Sequence, residues 1–139
     1  MSKDEYNDPY DIESLIERAK EARKLAYAPY SRFKVGAALL TGDGHVFYGC
    51  NIENTTYGLS ICAERVVTSK AVSEGYRDFR LLVVVGDSKE PTTPCGACRQ
   101  FLLEFGPELK VVMVGEEKRK EMTVADLLPH YFLRKEKRN

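Results

Sequence analysis

Leu81-Leu82-Val83-Val84-Val85 is an unbroken apolar run in which three of five residues are valine. A strand with one wet face would alternate polar and apolar residues, so a continuous β-branched run of this length suits a strand covered on both faces. It belongs in the middle of a sheet that carries helices on either side. The neighbouring sequence supplies them. Downstream, Pro94-Cys95-Gly96 opens a predicted helix with Phe101, Leu102 and Phe105 on one side, closed by Gly106-Pro107. Upstream, Ala63, Val66, Val67, Lys70 and Ala71 suit a helix that follows Cys62 and ends at Gly75.

Further out, residues 111–114 read as a second buried strand. Residues 35–40 and 46–50, separated by Thr41-Gly42-Asp43-Gly44, read as a β-hairpin. Over residues 11–26, Ile12, Leu15, Ile16, Ala19, Ala22 and Ala26 recur at spacings of three and four, the period of an amphipathic helix. Asp8-Pro9 is a start signal for it, and Pro29 and Ser31 break the pattern. Near the other end, the charged stretch 116–121 is predicted to be a solvated turn before a short strand at Met122. Thr123 with Asp126 resembles a capping box opening a short helix that stops at Pro129. The order predicts a three-layer α/β/α sandwich with a mixed five-stranded sheet. With 139 residues the chain fits a single domain, its core over about 12–132 between short flexible termini.

Lysine plus arginine equal aspartate plus glutamate at 21 each, so no overall positive field favours a nucleic-acid backbone or an anionic membrane. A small uncharged partner fits better. The opening MSKDEYNDPY has no apolar signal-peptide core and no later run approaches transmembrane length, so a cytoplasmic protein is expected. In a reducing compartment a Cys-x-x-Cys pair is more often a metal or redox centre than a structural bridge.

Cys62-Ala63-Glu64 and Pro94-Cys95-Gly96-Ala97-Cys98 each fall at a predicted helix start. Three thiolates occupy three corners of a tetrahedral zinc site and leave the fourth for water, which separates a catalytic site from a closed structural one. Glu64 reaches the same site only if Cys62 lies at the very first turn. The competing readings are a redox pair, which leaves Cys62 and Glu64 without a role, and a structural zinc with Cys50, His45 or His130 as fourth ligand. Cys50, at a strand end, reads as a small buried hydrophobe.

A Cys ligand two residues before Glu, followed by Pro-Cys-x-x-Cys, is the signature of zinc nucleobase deaminases. With Phe33-Lys34-Val35-Gly36-Ala37-Ala38, Asn51-Ile52-Glu53-Asn54, Cys62-Ala63-Glu64-Arg65, Cys95-Gly96-Ala97-Cys98-Arg99-Gln100 and Leu127-Leu128-Pro129 before Phe132, the chain resembles the homotetrameric cytidine deaminase family. That resemblance runs from about Ile12 to Phe132. It implies hydrolysis of cytidine and deoxycytidine to uridine and deoxyuridine in pyrimidine salvage, with one Zn2+ per subunit held by Cys62, Cys95 and Cys98. Glu64 is then the proton carrier. It takes a proton from the water that attacks C4 of the ring and delivers protons to N3 and to the departing amine.

The resemblance further implies that Arg65 donates hydrogen bonds to ligand sulfurs and offsets the excess charge of three thiolates. It implies substrate contacts from Phe33, Asn51, Glu53, Ala63 and Phe132. Asn51 and Glu53, which alternate along a strand end and so share a face, meet the ribose hydroxyls. Phe33 packs on the pyrimidine, and Phe132 reaches into a neighbouring subunit's site. The alternatives are ordinary core packing for Phe33, on equal terms, turn chemistry for Asn51 and Glu53, and a surface salt bridge for Arg65. Tyr30, Tyr57 and Arg99 receive no assignment. The rival functions are deamination of another aminopyrimidine or an aminopurine, nucleic-acid editing supported only by the basic run 134–138, and a noncatalytic zinc module.

Overall fold

The computed structural model describes residues 11–134. The start signal Asp8-Pro9, the chain termini and the basic run after Arg134 therefore lie outside the described residues. Helix α1 (Ile12–Arg23) begins at Asp11, whose carboxylate accepts from the Ser14 amide at 2.8 Å and so satisfies an amide with no partner within the helix. The helix ends three residues before Ala26. Tyr27 is drawn away to bridge Ile52, donating its amide to the Asn51 carbonyl and accepting from the Glu53 amide, and this pairing competes successfully with another helical turn.

Strands β1 (Val35–Thr41) and β2 (Val46–Cys50) form the hairpin. Helix α2 (Ala63–Ser73), β3 (Phe79–Gly86), α3 (Gly96–Leu103) and β4 (Lys110–Val114) follow, then β5 (Arg119–Thr123) and α4 (Val124–Leu127). The sheet order is β2-β1-β3-β4-β5, with β3 and β4 parallel and the other pairs antiparallel. The apolar run 81–85 is thus the central strand of a mixed sheet. Its alternate side chains divide the core. Leu81, Val83 and Val85 face α1 through Leu15, Ile16 and Ala19, whereas Leu82 and Val84 face Val67 of α2 and Leu102 and Leu103 of α3. Each such Leu or Val contributes about 1.5–3 kcal/mol by leaving water.

Gly36 sets how closely α1 lies on the sheet. A Cβ there would stand 2.6 Å from the Arg23 amide nitrogen and closer still to the Ala19 carbonyl, backbone atoms with little room to yield.

Two sequence expectations change. The segment 116–121 is not wholly a turn, because β5 already begins at Arg119. An edge strand tolerates charge on its open side, and Arg119 pairs with Glu13 of α1 at 2.6 Å while Lys110 pairs with Glu121 at 3.6 Å. On α3, Phe101 is partly exposed and Leu103 joins Leu102 in the core instead.

The parallel pair has a consequence for function. The crossover through α3 starts from the end of β3, so the chain reaches the N-terminus of α3 from the carboxyl end of the central strand, the usual ligand edge of such sheets.

Candidate functional site

Two helix starts meet at that edge. Cys62 caps α2 and Cys95 caps α3, both with extended backbone, and Cys98 lies in the first turn of α3. Neither capping cysteine makes a side-chain cap bond. A Ser or Asp at either place would add about 1 kcal/mol of helix stability, so these positions are filled at some cost to the fold.

The Sγ atoms of Cys62, Cys95 and Cys98 all lie within 4.8 Å of one another, with Cys62 to Cys95 at 3.8 Å and Cys95 to Cys98 at 3.4 Å. Sulfurs bound tetrahedrally at ~2.3 Å from one zinc stand about 3.8 Å apart, so the spacing fits that ion. A hydrogen bond from Cys98 is the main influence holding the Cys62 thiol down to about 5, against desolvation and with help from Arg65 and Cys95. Cys98, which keeps the shared proton, is pushed up. Neighbouring thiolates repel, and a dication among them removes the conflict. Cys50 is half-buried and does not join the cluster, and burial pushes its thiol up. Among the described residues neither His45, which faces Asp43, nor His130 supplies a fourth ligand.

Glu64, the second residue of α2, is 3% exposed. Because Cys62 is the cap and not an interior residue, a carboxylate two positions on can share its surroundings. Burial pushes the Glu64 carboxyl up to about 7, with the Cys62 charge adding to the effect and its own backbone amide and Arg65 opposing it. A carboxyl balanced near neutrality suits proton transfer in both directions. Arg65 directs Nη2 at Cys62 Sγ, 3.8 Å away, and at the Ser60 carbonyl, 3.3 Å away. Its Nε is buried with no hydrogen-bond partner among the described residues. Ala63 is fully buried in the core, so any contact it makes with a ligand falls to its backbone N–H, one of the amides that a helix start leaves unpaired.

A second group of residues surrounds the segment before β1. Asn51 accepts from the Val35 amide and donates to the Phe33 carbonyl, both at 2.9 Å. Glu53 accepts from the Tyr30 amide at 2.9 Å, the Ser31 amide at 3.1 Å and the Ser31 hydroxyl, and the Ser31 bond chiefly holds its carboxyl below the usual range. Ser31 Oγ in turn accepts from the Phe33 amide. Both side chains therefore order the backbone that presents Phe33, a task the sequence reading did not foresee because its partners are main-chain groups about twenty positions away.

The Phe33 ring crowds Gly86, where a Cβ would approach its Cζ to 2.9 Å, with Thr92 Oγ1 closer still. This brings Phe33 to the end of β3, the same edge from which the chain runs on to Cys95. Phe132 is 74% exposed, and its carbonyl accepts from Gln100 at 3.2 Å. Arg99, unassigned from sequence, bonds two carbonyls, those of Pro94 and Leu127. No helix among the described residues is long and apolar enough to cross a membrane.

Residues 9–115 match the family described as the cytidine and deoxycytidylate deaminase zinc-binding region. The chain is 51% identical over 124 residues to a cytidine deaminase of Sporosarcina psychrophila, covering 88% of this chain and 91% of that one. It is 52% identical over 124 residues to a cytidine deaminase of Halalkalibacterium halodurans, covering 88% and 94% respectively. A crystal structure of cytidine deaminase from Burkholderia pseudomallei matches with a TM-score of 0.85 at 51% identity, over 87% of this chain and 98% of that one.

Proposed function

The chain belongs to the cytidine and deoxycytidylate deaminase family, and from that premise we infer that it is a zinc-dependent hydrolase converting cytidine to uridine with release of ammonia. The observation that carries the chemistry is the trio of Cys62, Cys95 and Cys98 sulfurs within 4.8 Å of one another, beside the buried Glu64. Deoxycytidine is the second expected substrate. The setting is pyrimidine salvage in the cytoplasm, by one deaminase domain acting within a homotetramer.

Cys62, Cys95 and Cys98 would hold one zinc per subunit, which when bound supplies the Lewis acidity that makes water a nucleophile at neutral pH. Glu64 accepts one proton of the attacking water and passes it to N3 of the ring, then takes the second from the new C4 hydroxyl and gives it to the amine, which leaves as ammonia while the C4 carbonyl forms. Arg65, aimed at Cys62, offsets part of the charge that three thiolates bring. Phe33 lies against the pyrimidine, and the backbone N–H of Ala63 meets the base. Asn51 and Glu53 have hydrogen-bonding capacity beyond their backbone partners and use it on the ribose. The exposed Phe132 ring, its carbonyl fixed by Gln100, is suited to cover a base in an adjoining subunit. The test is direct. Zinc-loaded protein should deplete cytidine absorbance while releasing one ammonia per uridine, and zinc-loaded protein that releases none would leave only a zinc-binding module.

Glu53→Ala separates its two duties. Loss of the ribose contact should lower the specificity constant for cytidine by about tenfold to a hundredfold, the usual effect of an unmade hydrogen bond. Release of the Tyr30-Ser31 backbone should also lower the rate with free cytosine, a poor substrate that lacks the sugar, but by less. Specificity constants of parent and variant on both compounds decide between the roles. An equal loss on both would mean that Glu53 serves the loop alone.

A further inference from the structure

Arg99 joins the turn before α3 to the end of α4. Its Nε donates to the Pro94 carbonyl at 2.8 Å and its Nη1 to the Leu127 carbonyl at 2.6 Å. Pro94 is buried and immediately precedes Cys95, so the plane of that peptide helps to fix the backbone from which the Cys95 thiol projects. Leu127 is the last residue of α4, after which the chain passes through Leu128 and His130 (φ 55°) to Phe132. The next residue of α3, Gln100, holds the Phe132 carbonyl, and Leu128 and Leu133 pack on the core that α2 and α3 cover. Neighbouring residues of α3 thus fasten the start and the end of the C-terminal segment.

We propose that Arg99 is a positioning residue that couples the turn carrying Cys95 to the C-terminal segment 127–132, so that each holds the other in place. The planar guanidinium fixes the separation of its donors, and this makes it a strut between two carbonyls and not merely a charge near them. A lysine keeps the charge but has no such fork. The link to the metal rests on the assignment of Cys95 as a ligand made under Proposed function. The link to the tail does not.

The experiment compares the zinc-loaded parent, Arg99→Ala and Arg99→Lys by amide hydrogen exchange and by the rate at which zinc passes to an excess of a chelating dye. Exchange should quicken at least tenfold at both ends, at the amides of residues 99 and 128, which bond the Cys95 and Ala125 carbonyls, in both variants, while the central strand residues 81–85 stay as protected as in the parent. Zinc release should quicken about tenfold or more in both. A response confined to one end, uniform loss of protection that includes 81–85, parent-like release, or parent-like behaviour of Arg99→Lys would each overturn the strut. Should the parent hold no zinc, the metal assignment fails, and exchange at the two ends still decides whether Arg99 couples them.

Discussion

A protein carrying Glu64→Gln is expected to bind one zinc per subunit, as the parent does, and to deaminate cytidine about a thousand- to ten-thousand-fold more slowly. The amide has the shape of the acid it replaces, so it fits a position that is only 3% exposed. It cannot accept a proton, and positioned acid–base groups are typically worth about a hundred- to ten-thousand-fold. The upper part of that range is expected because, in the proposed mechanism, one carboxylate serves both the attacking water and the departing amine. Stability should not suffer. Burial already disfavours the charged form of Glu64, so a neutral isostere removes a desolvation cost and introduces no cavity. Metal analysis, thermal melting and ammonia release on the same preparation separate these effects. Turnover within tenfold of the parent would sink the proton-carrying role, and zinc loss would mean that Glu64 supports the metal centre itself.

The ease with which this carboxylate is found contrasts with other parts of the molecule. The central strand was legible because burial on both faces demands apolar residues at consecutive positions, and residues 81–85 leave few other readings. The capping box of Thr123 and Asp126 was legible because its chemistry is local, and both reciprocal bonds form. The clustering of the three cysteines was legible because the metal-ligand pattern restricts residue type, and the nearness of Glu64 because a helix start restricts spacing. By contrast, β5 carries Arg119, Lys120 and Glu121, and as an edge strand it needs no apolar pattern to be held by the β4 ladder. The end of α1 depended on a bridge to Ile52, which lies well along the chain. Arg99, Asn51 and Glu53 bind main-chain groups brought near by the fold, and a carbonyl or amide carries no residue signature. What sequence conveyed poorly was therefore the support around the candidate site and not the cluster at its centre.

The metal assignment makes a prediction in which fold and function move apart. Cys95→Ser should lose zinc and activity together, because a serine hydroxyl is a far weaker ligand than a thiolate. The fall in zinc affinity should exceed the roughly 10- to 100-fold that loss of a mere supporting partner costs. Yet the same change places a preferred capping residue at the start of α3, where the cysteine makes no side-chain cap bond. Serine there is worth about 1 kcal/mol to the helix, so metal-free Cys95→Ser should melt no lower than the metal-free parent. Cys50→Ser is the counterpart. It alters a half-buried thiol at the end of β2 that lies outside the sulfur cluster, and it should keep both zinc and turnover. Metal content and melting temperature of the two variants, each with and without added zinc, distinguish a ligand from a structural cysteine. Equal zinc in the two would overturn the assignment of Cys95, and a collapse of metal-free Cys95→Ser would show that the thiol serves the fold before it serves the metal.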